Sequence, residues 1–155
     1  MNKNLIWDTR QQAGKHEHIL QWFEENGYSV LNSKLPFGDV CYVNDLSRII
    51  DTKKDLQEVI GNVTAQHERF IREIELANEN GIKLYFLIQD ENISELRQVN
   101  QWWNPRLKYN KKATKGTTLF KILYSIEKKY NTKFFFCTRE KCGETIIKIL
   151  DGEIS

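Results

Sequence analysis

Three aspartates and a lysine carry the strongest chemical signal in this sequence: Asp8, Asp39, Asp51 and Lys53. Asp8 ends a short apolar run, Leu5 to Trp7, that reads as a strand. Asp39 follows Gly38 in a turn, and Asp51 closes another apolar run. Lys53 lies two residues beyond Asp51, so on an extended backbone both side chains face one side of a sheet. Carboxylates on neighbouring strands are hard oxygen donors of the kind that hold Mg2+. Such a cation polarises a phosphoryl oxygen and lowers the pKa of a bound water. A lysine beside it can orient or deprotonate that water, or stabilise charge on a phosphorane-like transition state. The same spacing also suits a turn aspartate and a surface ion pair.

The surrounding sequence must supply elements that bring these residues together. Residues 14–26 carry Ile19, Leu20, Trp22 and Phe23 at helical spacing, and Asn26-Gly27 is a helix stop. Tyr28 to Leu35 reads as a strand, followed by a turn at Pro36-Phe37-Gly38. Val40 to Val43 and Arg48 to Asp51 read as two strands across a turn at Asn44-Asp45. Helical patterns cover Leu56 to Val63, 65–79, 93–101, Gly116 to Tyr130 and Glu140 to Leu150. Ile82 to Ile88 and Phe134 to Cys137 are β-branched and aromatic, as buried strands are. Strands alternating with helices give an α/β fold with a central mixed sheet.

Composition narrows the class. The chain has 155 residues, 40% hydrophobic and 28% charged, with two prolines and eight glycines. That fits one globular domain spanning residues 1–155 and excludes collagen-like and disordered classes. No apolar run is long enough to cross a bilayer, and the N-terminus has no signal-peptide pattern. Three cysteines without paired spacing read as reduced thiols of a cytoplasmic protein.

Charge is segregated. The net of +2 hides nine basic residues between Pro105 and Lys133: Arg106, Lys108, Lys111, Lys112, Lys115, Lys121, Lys128, Lys129 and Lys133. Glu127 is the one acid among them, so the stretch is +8 and the remainder −6. Trp102, Trp103 and Tyr109 stand at its leading edge. Cations that release counterions, beside aromatics that stack on bases, suit a nucleic-acid backbone. A solvated lysine-rich helix face with a loop has the same composition.

Taken together, Asp8-Thr9-Arg10, Gly38-Asp39-Val40 and Asp51-Thr52-Lys53 resemble the XPF-type nuclease domain of the PD-(D/E)xK superfamily. The likeness extends through Lys54-Asp55-Leu56-Gln57-Glu58-Val59, Asn62, His67-Glu68-Arg69-Phe70, Glu73, Asn104-Pro105-Arg106, Lys129-Tyr130 and Phe134 to Cys137. It covers residues 5–150 and points to the single-domain bacterial and phage branch. The resemblance implies a restriction-endonuclease-like mixed β-sheet flanked by helices on both faces. It implies a Mg2+-dependent endodeoxyribonuclease, with Mn2+ as a substitute, acting on branched, flapped or duplex DNA in repair or recombination. Asp39 and Asp51 would be the metal ligands, Lys53 the catalytic lysine, and Asp8 an accessory acid. Arg10 would contact a phosphate or carboxylate, for which its fork is suited. Arg106, Lys108, Lys111, Lys112, Lys115 and Arg69 would bind DNA. A homodimer is implied, and an exposed patch of Ile146, Ile147 and Leu150 would support it. The helix-hairpin-helix module of eukaryotic relatives has no counterpart in this sequence.

Departures from the family pattern leave a rival reading. Gln11 stands where an acid is expected, Thr52 replaces an arginine, and Gln57 replaces an aspartate. A catalytically weak or inactive DNA-binding module of the same fold, working with a partner, would carry such changes. His16 and His18 do not share a helix face and read as surface residues rather than zinc ligands. One of the adjacent Trp102 and Trp103 should be core and the other free to stack.

Overall fold

A computed structural model describes residues 3–10 and 16–154. Gln11, weighed above, lies outside the described residues, as does the start of the 14–26 helical segment. The sheet has six strands: β1 (Asn4–Asp8), β2 (Ser29–Ser33), β3 (Val40–Tyr42), β4 (Asp45–Lys53), β5 (Lys83–Gln89) and β6 (Thr132–Cys137). Their spatial order is β2-β1-β3-β4-β5-β6. The pairs β1/β2, β4/β5 and β5/β6 are parallel, whereas β3 runs antiparallel to both β1 and β4. The expected α/β fold with a mixed sheet is therefore the fold observed.

Alternation along the strands separates two apolar layers. Ile49, Phe86 and Phe134 face α2 (Leu56–Val63), α3 (His67–Glu79) and α4 (Gly116–Lys129). Phe70 of α3 stacks on Phe86 with ring centroids 4.7 Å apart. Ile50, Tyr85 and Leu87 face α1 (Glu17–Glu25) and α5 (Cys142–Leu150). Ile146, Ile147 and Leu150 are buried in this second layer, so they form no exposed patch. Their apolar positions serve the sheet beneath them, and the expected support for a dimer is absent.

Several elements differ from the sequence reading. β4 continues through Thr52 and Lys53, because both pair with β5 opposite Leu87 and Ile88. The 93–101 segment is a short 3-10 turn, Leu96–Gln101, rather than an α-helix. It stops before Asn104-Pro105, where the residue ahead of proline disfavours the helical region. Pro105–Lys108 then forms a second 3-10 turn that periodicity does not signal. The three cysteines are buried and form no disulfide, and Cys137 and Cys142 lie with their sulfurs 2.8 Å apart.

Candidate active site

The antiparallel β3 explains why three distant motifs converge. Its start lies beside the ends of β1 and β4, so Asp39 enters between Asp8 and Asp51. Backbone hydrogen bonds fix the junction: the Asp8 amide donates to Asp39 O at 2.8 Å, and the Asp39 amide to Ile50 O at 2.8 Å. Gly38 makes the approach with φ +64. A Cβ there would sit 2.7 Å from Ile49 Cγ2 and 3.0 Å from Ile50 O, so the Gly-Asp turn requires glycine on two counts.

Asp39 is buried, and one of its carboxylate oxygens accepts two hydrogen bonds from Thr52. Burial and the adjacent Asp51 carboxyl together push Asp39 well above the usual carboxylate range. Two carboxyls that meet in a buried setting resist joint ionisation. Lys53 Nζ lies 3.4 Å from Asp51 Oδ2, on the side of the sheet that faces α2 and α3. The predicted same-face pair is thus formed.

α3 completes the pocket. Asp51, Lys53, Asn62, Gln66, Arg69, Phe70 and Glu73 line a cavity of about 160 Å³. Burial, followed by the Asp51 charge, raises Glu73, while Lys53, a backbone hydrogen bond from Gly38, and Arg69 oppose the rise. Arg69 and Glu73, each picked out by resemblance, are both at the pocket. Gln66 was not anticipated, although the spacing of Gln66, Arg69 and Glu73 places them on one helical face. Asn62 Oδ1 is buried in this setting without a hydrogen-bond partner.

Asp8 and Arg10 form a separate unit at the end of β1. Arg10 donates Nε and Nη2 to the two carboxylate oxygens of Asp8 at 3.0 and 2.8 Å. The amides of Arg10 and Leu35 donate to the same carboxylate, each at 2.8 Å. The Arg10 bond is the chief reason that the Asp8 pKa falls to about 2. Asp8 therefore fixes Arg10 and the turn at Leu35, whose carbonyl also accepts from Arg10 Nη2 at 2.7 Å.

Two substituted family positions have definite partners. Thr52 anchors Asp39 on the face opposite Lys53 and approaches His16 Nε2 to 3.4 Å. His16 is buried edge-on against Trp7, not a surface residue, with ring centroids 5.3 Å apart. His18 likewise bonds Gln89 at 3.0 Å. Gln57 does not face the carboxylates; its amide donates to Asn104 Oδ1 at 2.7 Å.

That contact joins α2 to the basic loop. Asn104 is 1% exposed, caps the Arg106 amide at 3.0 Å, and donates Nδ2 to Thr114 O at 2.8 Å. One buried side chain thus closes the loop of 104–114 on itself and ties it to the helix that follows Lys53. Arg106, Lys108, Lys111, Lys112 and Lys115 are exposed on or beside this loop. Trp102 packs on the core and Trp103 is 58% exposed, which resolves the adjacent pair. Tyr109 is 86% exposed.

The donors around Asp39 and Asp51 are oxygens: two carboxylates in contact, with the carboxylate of Glu73 and the unpartnered Asn62 Oδ1 at the pocket. This set fits a hard cation that keeps several waters. Among the described residues, no group of three or more His, Cys, Asp or Glu side chains is assembled to hold a metal by itself. No described helix is long and apolar enough to cross a membrane.

No protein-family model and no curated protein matches the sequence. Solved structures do resemble the fold. XPF from Aeropyrum pernix superposes with a TM-score of 0.66 at 15% identity, over 95% of this chain and 64% of that one. XPF from Aeropyrum pernix in complex with DNA gives 0.67 at 14% identity, over 97% of this chain and 64% of that one. The chain thus spans under two thirds of either neighbour's length, and over that span it shares their fold.

Proposed function

We propose that this protein is a metal-dependent DNA endonuclease that hydrolyses phosphodiester bonds and selects for DNA structure. The observation that carries the reading is the meeting of Asp39, Asp51 and Lys53 where β3 enters between β1 and β4 in an XPF-like fold. A DNA complex of a structural neighbour supports the choice of substrate.

Asp39 and Asp51 would hold Mg2+, or Mn2+ in its place, with Asn62 and Glu73 beside them. The metal would supply Lewis acidity and a more acidic bound water. Thr52 holds one oxygen of Asp39 and so sets where the other points. Lys53 Nζ, held close to Asp51, would donate to a phosphate oxygen on which charge develops. Arg10 offers a half-exposed guanidinium, oriented by Asp8, to a neighbouring phosphate. Exposed cations of the 104–115 region would grip the backbone without reading bases, which favours shape over sequence.

The test is cleavage of labelled duplex, flap, fork and four-way DNA with Mg2+, Mn2+ or EDTA. Wild type is compared with Asp51→Asn and Lys53→Ala, each checked for folding by circular dichroism. Metal-dependent cutting lost in both folded variants supports the reading. A folded wild type that binds these DNAs and cuts none of them with either metal favours the non-catalytic module.

A further inference from the structure

Cys137 closes β6 and Cys142 opens α5, with one exposed 3-10 turn, Arg139–Lys141, between them. Their sulfurs meet at 2.8 Å in the apolar layer beneath α1 and α5. A disulfide bond of ~2.05 Å would need about 0.8 Å of further closure. The separation is already inside the roughly 3–3.5 Å of a near-attack pair. Cys41 gives a contrast within the same chain. It lies on β3 in the opposite apolar layer, where burial and then Asp45 push its thiol up to about 11.

The pair has a way out to solvent. Cys142 Sγ approaches Thr138 O at 3.3 Å and Gln89 Oε1 at 3.6 Å. Gln89 Oε1 also bonds His18 Nε2 at 3.0 Å. His18 lines an open cleft of about 380 Å³ together with Trp22, Glu91, Arg139 and Glu140. The turn that links the two cysteines is therefore also a wall of this cleft. A single exposed turn is the kind of segment that opens locally at low cost. Its opening leads from the cleft to both sulfurs.

We propose that Cys137 and Cys142 are a reversible oxidation site, which a peroxide converts to an intramolecular disulfide. The Cys142 sulfur attacks one peroxide oxygen, the O–O bond breaks, and the thiol proton leaves with the other oxygen as water. The Cys137 sulfur then attacks the sulfenic sulfur of Cys142. The S–S bond forms, the S–O bond breaks, and the hydroxyl departs as a second water with the Cys137 proton. The two sulfurs lose two electrons and the peroxide gains them. A hydrogen bond with Cys142, then burial, pushes Cys137 above the usual thiol range, so its proton stays in place until this second step. The bond pins the start of α5 to the end of β6, where Cys137 pairs with Gln89. Disulfides in reducing compartments are of this transient, sensing kind. The site does not depend on the nuclease reading.

The experiment treats the folded full-length chain with hydrogen peroxide, quenches with catalase, alkylates in denaturant and digests with trypsin. Cleavage after Arg139 and Lys141 separates the two cysteines, so an intact bond joins peptides 134–139 and 142–148. The linked pair should appear, two of the three thiols should be lost, and Cys41 should remain fully alkylated. Dithiothreitol should restore all three. Cys41→Ser should form the same bond. Cys137→Ser should form none and leave a Cys142 sulfenic acid that dimedone traps, with circular dichroism confirming that each variant is folded. Three intact thiols in a large excess of peroxide overturn the site. So does sulfinic acid on either cysteine without the linked pair, or a bond that joins two chains instead of one.

Discussion

Thr52 donates both its amide and its hydroxyl to a single oxygen of Asp39, at 2.7 and 2.8 Å. Because Thr52 alternates with Asp51 and Lys53 along β4, the strand that presents this pair on one face also braces Asp39 from the other. Thr52→Val keeps the shape and the amide bond but removes the hydroxyl. Loss of a buried hydrogen bond to a carboxyl group should cost about 1.5–3 kcal/mol. Thermal denaturation should show that loss, cleavage should slow, and Thr52→Ser should recover both. Full activity in Thr52→Val would remove the bracing role.

Gly38→Ala should be more harmful than its size suggests. The left-handed backbone there and the 2.7 Å approach to Ile49 Cγ2 act together. The conformational part alone is on the order of 1–3 kcal/mol. Asp39 is the next residue, so chemical denaturation and cleavage should both register the change. A variant with wild-type stability would contradict the geometry.

Acid should weaken the β1 end first. The Asp8 pKa lies at about 2 in the folded protein, below its ordinary 3.8, because Arg10 favours the charged form. A depressed carboxyl contributes stability that is complete above its unfolded pKa and is lost as pH falls through the folded value. With Arg10 half exposed and therefore screened, that contribution is about 1–2 kcal/mol. Denaturation of wild type and Asp8→Asn should differ by this amount near pH 6 and converge between pH 4 and 2. A constant difference across that range would assign the effect to packing instead.

Asn104→Ala should release the basic loop. It strands the Thr114 carbonyl, the Arg106 amide and the Gln57 amide group, which meet on the buried Asn104. A penalty of about 2–3 kcal/mol is expected, with faster hydrogen exchange confined to 104–115 and weaker DNA binding. Gln57→Asp, which restores the acid of the family pattern, should not raise activity, since position 57 faces Asn104. A rise in cleavage rate would show that position 57 reaches the reacting centre.

Much of this was legible in advance. Periodicity located the five helices of regular length because α2, α3, α4 and α5 each keep an unbroken apolar stripe toward the sheet, as does α1. The Asp51–Lys53 pair followed from strand alternation alone. What stayed hidden depends on contacts between distant segments. Nothing local marks Thr52 as the brace of Asp39, or Gln57 as the partner of Asn104 47 residues away. His16 looked like a surface residue because its neighbours are polar, yet it is buried against Trp7. Ile146, Ile147 and Leu150 read as a free patch only until α5 is laid across β4 and β5.

Closure of the 104–114 loop by one side chain has an evolutionary corollary. Asn104 and Thr114 meet at its base, and the residues between them are mainly exposed. The interval can therefore change its length, charge or aromatic content while the base stays clasped and the strands of the sheet keep their register. Selection can retune the loop without touching Asp39, Asp51 and Lys53, so closely related proteins should diverge fastest between Leu107 and Ala113.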